Sequence, residues 1–185
     1  MPKQKKSGSA IFMYSVIALT VIVSVVCFVL YYGDKTENNT VLWVGIVSFM
    51  IMYHFWLRII MANVSKLFKI NPDSKWFQEK SFEKSLYRLL RVKRWKGKAL
   101  TYNPESFSLE KHSLEEISAV MTKSETDHWI NEIISLTSIL FSLIWGEFQI
   151  FFITAIFAMI FDAQFIVIQR YNRPRVKRIL QKQKS

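Results

Sequence analysis

Four long apolar stretches alternate with charged segments along this chain. They cover residues 10–32, 41–62, 129–145 and 148–168. A helix of about 20 apolar residues crosses a hydrocarbon core about 30 Å thick, so each stretch is close to the length of one span. The first stretch has no charged residue, and it is longer than the apolar core of a signal peptide, which covers about 7–15 residues. The pattern therefore predicts four transmembrane helices, the first of them a retained anchor.

The segment between the second and third stretches, residues 63–128, is polar and predicted to contain amphipathic helices. Between residues 74 and 95, apolar residues recur at helical spacing and basic residues occupy the opposite face. The apolar positions are Phe82, Leu86 and Leu89. This helix is expected to lie in the headgroup region or to pack on the protein's own helices. Ser113 and Glu116 then have the spacing of a capping box, which predicts the start of a second helix.

Charge is distributed along the chain in a way that predicts the orientation of these helices. The 185 residues are 51% hydrophobic and carry a net charge of +11. Lys3, Lys5 and Lys6 precede the first stretch, and many basic residues lie within residues 63–128 and the tail, residues 169–185. Lys and Arg accumulate on the cytoplasmic side of a membrane. We therefore expect both termini and the central segment in the cytoplasm and a multi-pass protein of the cell membrane.

Together these features predict a single all-α integral membrane domain over residues 1–185. The basic residues flank the apolar stretches, so membrane anchoring explains them better than nucleic-acid binding does. Membrane lipids are the expected partners, and no oligomeric state is predicted. One cysteine and three scattered histidines, without a metal-binding motif, predict no metal site.

The first group of candidate catalytic residues lies where the third stretch is expected to enter the membrane. Glu125, His128 and Glu132 have i, i+3 and i+7 spacing, so they share one helix face. Ionisable groups at this depth pair with one another or line a polar cavity. A histidine beside a carboxylate is a candidate general base, because the carboxylate fixes its tautomer. A helix start with favourable acidic residues is the alternative explanation.

A second candidate cluster follows the fourth stretch. It consists of Gln169, Arg170, Tyr171, Asn172 and Arg173, with Pro174 expected to end the helix. Guanidinium groups bind phosphate or carboxylate with two parallel hydrogen bonds. The third and fourth stretches are expected to form a hairpin that turns near Gly146. Such a hairpin would place His128 and Gln169 at the same membrane level.

Three further residues are candidates for the same site. Trp95 and Lys96 are expected on the cytoplasmic side, where an aromatic residue beside cations is also typical of an interfacial anchor. His54 lies one helical turn before Arg58 in the second stretch. It is a candidate for the same polar pocket, and Arg58 can extend towards the membrane surface.

Several motifs resemble the glycosyl-4,4′-diaponeurosporenoate acyltransferase family of staphyloxanthin biosynthesis. The most specific is Gln169-Arg170-Tyr171-Asn172-Arg173-Pro174-Arg175. Others are Asn71-Pro72, Leu86-Tyr87 followed by Val92-Lys93-Arg94-Trp95-Lys96, and Glu125 followed by His128-Trp129. The chain resembles a divergent member, because Asp162 and Gln164 stand where the family usually has Asn and Pro.

The resemblance implies transfer of a fatty acyl chain to a hydroxyl of a membrane-embedded glycolipid or isoprenoid-linked acceptor. His128 would then remove the hydroxyl proton and Glu125 would orient the imidazole. Arg170, Arg173 and Lys96 would bind a donor phosphate or the developing oxyanion, and Asn172 would donate to the thioester carbonyl. Gln169, Tyr171 and Trp95 are further expected substrate-binding residues, and His54 is expected among them from its place in the second stretch alone. No bound cofactor is implied, and the donor would be an acyl thioester such as acyl-CoA.

Two other functions fit the same residues. A metal-dependent membrane hydrolase would use His54, His128 and either Glu125 or Glu132 as ligands. A non-catalytic accessory or lipid-binding protein would use the cationic cluster to hold anionic headgroups.

Overall fold

The protein is helical, as the apolar pattern predicts. A computed structural model describes residues 8–33, 35–99 and 104–184, so Lys3, Lys5 and Lys6 lie outside the described residues. The described residues contain helices and no strand. The α-helices are α1 (Gly8–Tyr32), α2 (Asn39–Val64), α3 (Glu83–Leu89), α4 (Val92–Trp95), α5 (Leu114–Thr137), α6 (Ser142–Trp145) and α7 (Phe148–Lys184). Short 3-10 segments cover Ser65–Leu67, Lys75–Phe77, Lys96–Lys98, Pro104–Phe107 and Ser138–Phe141.

Within the described part of the chain, four helical segments are long and apolar enough to cross a membrane. They are Ala10–Tyr32, Asn39–Leu67, Leu114–Trp145 and Phe148–Gln183. Most apolar side chains of α1 are exposed, with Leu19 and Ile22 both 62% exposed. Lipid chains would cover these side chains, and the helix satisfies its own backbone groups in a medium without water. The prediction of four apolar helices is confirmed, whereas their orientation stays a prediction.

The expected turn between the third and fourth apolar helices is present at Gly146 and Glu147. Both residues have positive φ, 69° and 52°. Gly146 combines its positive φ with a ψ of −140°, a conformation that residues with a Cβ rarely adopt. The helix before the turn is not uniform, because the 3-10 segment Ser138–Phe141 separates α5 from α6. The hairpin therefore turns where glycine permits it.

The prediction that Pro174 ends the last helix is wrong. Helix α7 continues through Pro174 to Lys184. Proline removes one backbone donor from a helix, but bonds from later residues to the rest of the chain offset this loss. Lys177 Nζ donates to the carbonyl of Pro72 at 2.9 Å, and Arg178 Nη2 lies 3.2 Å from Glu79 Oε2. These contacts hold the basic tail in a helix.

The segment 74–95, expected to form one amphipathic helix, instead forms the 3-10 segment Lys75–Phe77 and the two short helices α3 and α4. Arg91 separates α3 from α4 and has a left-handed backbone, with φ 50° and ψ 39°. Phe82 and Leu89 are 63% and 79% exposed, so the apolar stripe is largely uncovered. Its placement against lipid headgroups stays a prediction. The predicted capping box is confirmed by two bonds, from Ser113 N to Glu116 Oε2 at 2.8 Å and from Glu116 N to Ser113 Oγ at 3.2 Å.

The chain divides into two compact units. The first comprises Met1–Ala62 and Asn131–Ile160, and the second comprises Asn63–Ile130 and Phe161–Ser185. The core of the first unit is a cluster of Leu42, Ile46, Met50 and Phe151, with aromatic residues packed around it. Trp145 stacks on Phe151 with ring centroids 5.9 Å apart. The single-domain organisation stays a prediction.

We expect Phe151→Ala to destabilise the first unit by about 1–3 kcal/mol. In a soluble protein, replacing a buried Phe by Ala costs about 3–5 kcal/mol, and part of that cost is the free energy of transferring the side chain from water into the core. In a membrane the surroundings are lipid chains as apolar as the core, so that part of the cost is absent. Thermal unfolding in detergent micelles measures the change. Phe157→Ala is the matched control on the same helix, because Phe157 is 69% exposed. Equal unfolding temperatures for the two variants would contradict this account of the core.

Candidate functional site

A buried carboxylate on α5 binds two arginines of α7. Glu125 is fully buried, and its Oε2 lies 2.5 Å from Arg173 Nη1. Its Oε1 lies 3.2 Å from Arg170 Nε. Arg173 is 1% exposed, and its Nη2 donates to the carbonyl of Phe77 at 2.5 Å. A guanidinium and a carboxylate can be buried together because each compensates the other's lost hydration.

A second buried carboxylate extends this network. Glu83 of α3 is 3% exposed, and its Oε1 lies 3.1 Å from Arg170 Nη1. The Tyr87 hydroxyl donates to Glu83 Oε2 at 2.8 Å. The remaining Arg170 nitrogen, Nη2, donates to the carbonyl of Trp76. Two carboxylates and two guanidiniums are thus enclosed together, with the Arg170 side chain the most exposed of them at 14%, and we call Glu83, Glu125, Arg170 and Arg173 the ion-pair network.

Two groups of the second unit have shifted pKa values. Burial, aided by the hydrogen bond to Glu83, raises the pKa of the Tyr87 hydroxyl, which keeps it a donor at neutral pH. The hydrogen bond and the positive charge of Lys177 lower the pKa of the exposed Asp73 carboxyl. The Lys177–Asp73 contact of 2.9 Å therefore joins two charged groups at neutral pH.

The carboxylate that pairs with His128 is Asp162 of α7, whereas Glu125 had been expected to orient the imidazole. His128 Nδ1 lies 2.7 Å from Asp162 Oδ1. Asp162 is fully buried, and the His128 side chain is 19% exposed. The imidazole also stacks on Phe165, with ring centroids 4.7 Å apart and planes 9° from parallel. Phe165 and Asp162 together fix both the plane and the rotation of the imidazole ring.

Lys96 and Asn172 form a third polar contact in the second unit. Lys96 Nζ donates to Asn172 Oδ1 at 2.7 Å. The Lys96 ammonium also lies 4.9 Å from the centre of the Tyr171 ring, and the Arg175 guanidinium lies 3.5 Å from it. Cations over an aromatic face are attracted by its negative charge density. These contacts connect the end of α4 with the tail of α7.

The remaining predicted site residues have local partners. Gln169 is buried, and its Nε2 donates to Ser124 Oγ at 3.3 Å. Trp95 Nε1 donates to the carbonyl of Leu90 at 2.9 Å. Trp76 and Trp129 contact each other edge to face, 5.7 Å apart. Of the expected site residues, those between Trp95 and Arg173 all lie in the second unit.

His54 belongs to the first unit. It is 6% exposed, and its Nδ1 lies 3.4 Å from Ser135 Oγ. Its participation in the site of His128 stays a prediction. Glu132 is also buried and also belongs to the first unit. Among the residues that the structure describes, no three His, Cys, Asp or Glu side chains are arranged to hold a metal ion.

Sequence reasoning missed the contacts of Asp162, Glu83 and Phe165. Asp162 carried a signal, since it is the one acidic residue within the stretch 148–168. An acid in that position requires a partner, and the hairpin offered His128. Glu83 and Phe165 carried no comparable signal, because a glutamate in a charged segment and a phenylalanine in an apolar one are both ordinary.

We expect Glu125→Gln to lower the stability of the second unit by about 3 kcal/mol, because it leaves two buried guanidiniums with one carboxylate. The measurement is the thermal unfolding midpoint in detergent micelles. Asp73→Asn is the control, because it also removes an acid from an ion pair, but its carboxylate is exposed and screened by water. If both variants unfold at the same temperature, the ion-pair network does not stabilise the fold.

Comparison with known proteins places the chain in a family. The family model described as glycosyl-4,4′-diaponeurosporenoate acyltransferase matches residues 73–182. Relatives of that name from Staphylococcus aureus strains MRSA252 and N315 are 29% and 28% identical over 145 residues, covering 68% of this chain and 84% of each relative. No solved structure matches the chain. The matched residues contain the ion-pair network and the His128–Asp162 pair, and the chain is an acyltransferase that belongs to the glycosyl-4,4′-diaponeurosporenoate acyltransferase family.

Proposed function

We propose that this acyltransferase moves a fatty acyl chain from a thioester donor to a hydroxyl of a membrane-embedded, lipid-linked acceptor, with His128 as the general base. The observation that carries the proposal is the His128–Asp162 contact of 2.7 Å. A carboxylate that accepts from Nδ1 leaves the Nε2 lone pair to accept a proton. The same arrangement of an acid, an imidazole and a hydroxyl activates nucleophiles in other acyl-transfer enzymes.

The reaction proceeds by attack of the acceptor oxygen on the thioester carbonyl. His128 Nε2 takes the hydroxyl proton as the new carbon–oxygen bond forms, and the carbonyl oxygen becomes an oxyanion. When the carbon–sulfur bond breaks, the imidazolium returns its proton to the departing thiolate. Asp162 stabilises the imidazolium between these steps. The products are an ester and a free thiol, so protons and electrons balance without a further reactant.

We propose that Lys96 and Asn172 bind the polar part of the donor rather than the oxyanion, because Asn172 lies ten residues, about 15 Å along α7, from the Asp162 that contacts His128. The Lys96 ammonium bonds to Asn172 Oδ1, which fixes the orientation of the side-chain amide and leaves its NH₂ group as a donor. Tyr171 supports Lys96, whose ammonium lies 4.9 Å from the centre of the Tyr171 ring. Arg170 and Arg173 receive a different role from the one expected, because Glu125, Glu83 and two backbone carbonyls already engage them. We propose that these arginines position the site rather than bind substrate.

The membrane placement follows from the distribution of charge. We propose a cell-membrane protein with both termini and residues 63–128 on the cytoplasmic side, where Lys and Arg are concentrated. His128 and Asp162 then lie near the cytoplasmic ends of the third and fourth apolar helices. A lipid-linked hydroxyl reaches that level from the bilayer, and a water-soluble donor reaches it from the cytoplasm. Membrane lipids are accordingly the proposed partners.

We expect His128→Ala to lower acyl transfer by about 10²–10⁴-fold, the usual contribution of a general base. Intact mass spectrometry of lipid extracts from expressing cells measures the acylated product, which is heavier than its acceptor by one acyl chain. His112→Ala is the matched control, because His112 pairs with Glu116 at the protein surface. Full activity of a folded His128→Ala variant would overturn this mechanism. Lipid profiles that are identical with and without the wild-type protein would favour a lipid-binding function.

We expect Asp162→Asn to lower kcat about 100-fold and to leave KM for the acceptor unchanged, because an amide at this position no longer fixes the Nδ1–H tautomer. Steady-state kinetics in mixed micelles separate the two constants. Asp162→Glu should restore part of the rate, since it restores the carboxylate. A parallel rise in KM, with no recovery in Asp162→Glu, would show that Asp162 only maintains the fold.

A further inference from the structure

A groove with a volume of about 780 Å³ lies on the second unit, lined by residues from the ranges 79–94 and 171–178. We call it the cationic groove. Seven of its lining residues are Lys or Arg and one, Glu79, is acidic, which gives a net charge of +6. Ligand pockets usually have volumes of about 300–1,000 Å³. The groove therefore has the size of a small-molecule site and concentrates more than half of the chain's net charge of +11.

The cations of the groove lie close together but have few carboxylate partners. Some other cations of the second unit are paired with an acid, as Lys123 is with Asp127 at 2.8 Å. In the groove, Glu79 binds Arg178, and among the described residues Arg88, Arg91 and Arg94 have no carboxylate partner. Orientation in a membrane requires basic residues but does not require them to line one concavity. Arg88, Arg91 and Arg94 are therefore available to an anion from outside the chain.

Contacts within the second unit hold the walls of the groove in place. Tyr87 is buried, hydrogen-bonded to Glu83, and packed edge to face against Tyr171 at 5.3 Å. Arg175 stacks on the Tyr171 ring, and its Nη1 donates to the carbonyl of Tyr171 at 2.6 Å. The left-handed turn at Arg91 brings the basic residues of α3 and α4 into the same groove. A site with fixed walls loses less entropy when a ligand binds.

We propose that the cationic groove binds the phosphate groups of the acyl donor, a thioester of the coenzyme A type. This inference rests on the proposed function. A net charge of +6 suits several phosphates better than one carboxylate, and guanidinium groups bind phosphate with two bonds. Coenzyme A carries its phosphates at one end and its thiol at the other end of a flexible arm. Arg175 in the groove and Asp162 beside His128 lie on one helix, about 20 Å apart along its axis.

Calorimetry on the full-length protein in phosphatidylcholine nanodiscs tests the proposal with coenzyme A as the probe. We expect the triple variant R88Q/R91Q/R94Q to bind it about 100-fold more weakly than the wild type, since three charge-assisted contacts are lost. The matched control K66Q/K69Q/K75Q removes the same charge from exposed positions outside the groove and should bind as the wild type does. Circular dichroism checks that each variant is folded, and the single variant R91Q replaces the triple one if it is not.

Two results would overturn the proposal. The first is equal affinity of the wild type and a folded groove variant for coenzyme A. The second is that the wild type does not bind coenzyme A but retains phosphatidylglycerol, and that this retention is lost in the groove variant. The bound phosphate would then be that of a lipid headgroup. Failure of the proposed function can be distinguished from failure of the groove assignment, because the two have separate measurements. The His128→Ala variant should bind coenzyme A normally while its acyl transfer is lost. If the groove variant binds coenzyme A weakly but the wild type shows no acyl transfer, the groove assignment stands and the proposed reaction is rejected.

Discussion

The burial of Glu125 is the constraint on which the second unit depends. A carboxylate without contact with water is unfavourable unless cations and donors replace its hydration. Arg173 and Arg170 supply these, and they in turn engage Glu83 and the carbonyls beside it. The network contains two charges of each sign, so it is neutral as a whole. Through it α3, α5, α7 and the 3-10 segment Lys75–Phe77 are held together.

The tail motif, residues 169–175, contributes to two environments because it is helical. Gln169 and Arg173 are four residues apart and contact Ser124 and Glu125 of α5. Tyr171 and Arg175, also four apart, line the cationic groove. Residues with this spacing share a helix face. A single short motif can therefore stabilise the fold on one face and remain available for a ligand on another.

Sequence patterns predicted the features that depend on local composition. The four apolar helices, the glycine turn at Gly146 and the capping box at Ser113 follow from length, hydropathy and side-chain spacing along the chain. The partner of His128 does not follow in this way. Glu125 precedes it by three residues on the same helix, but Asp162 reaches it from α7, because the rotation of each helix about its own axis decides which carboxylate faces the imidazole.

Tertiary contacts also explain why Pro174 was misinterpreted. A proline in the last turns of an exposed helix normally ends it, and nothing nearby in the sequence indicates otherwise. The bonds that preserve α7 come from Pro72 and Glu79, about one hundred residues earlier in the chain. Residue spacing alone carries no information about such distant partners.

The ion pairs of the second unit differ in burial and therefore respond differently to ionic strength. The Lys177–Asp73 and Arg178–Glu79 pairs each have a side chain more than half exposed, whereas the Glu125–Arg173 pair is shielded from water. Salt screens exposed charges over about 8 Å at physiological concentration and about 3 Å at 1 M. Added salt therefore weakens the attachment of the last turns of α7 before it affects the centre of the unit. The order of the end of the tail therefore depends on the ions around it.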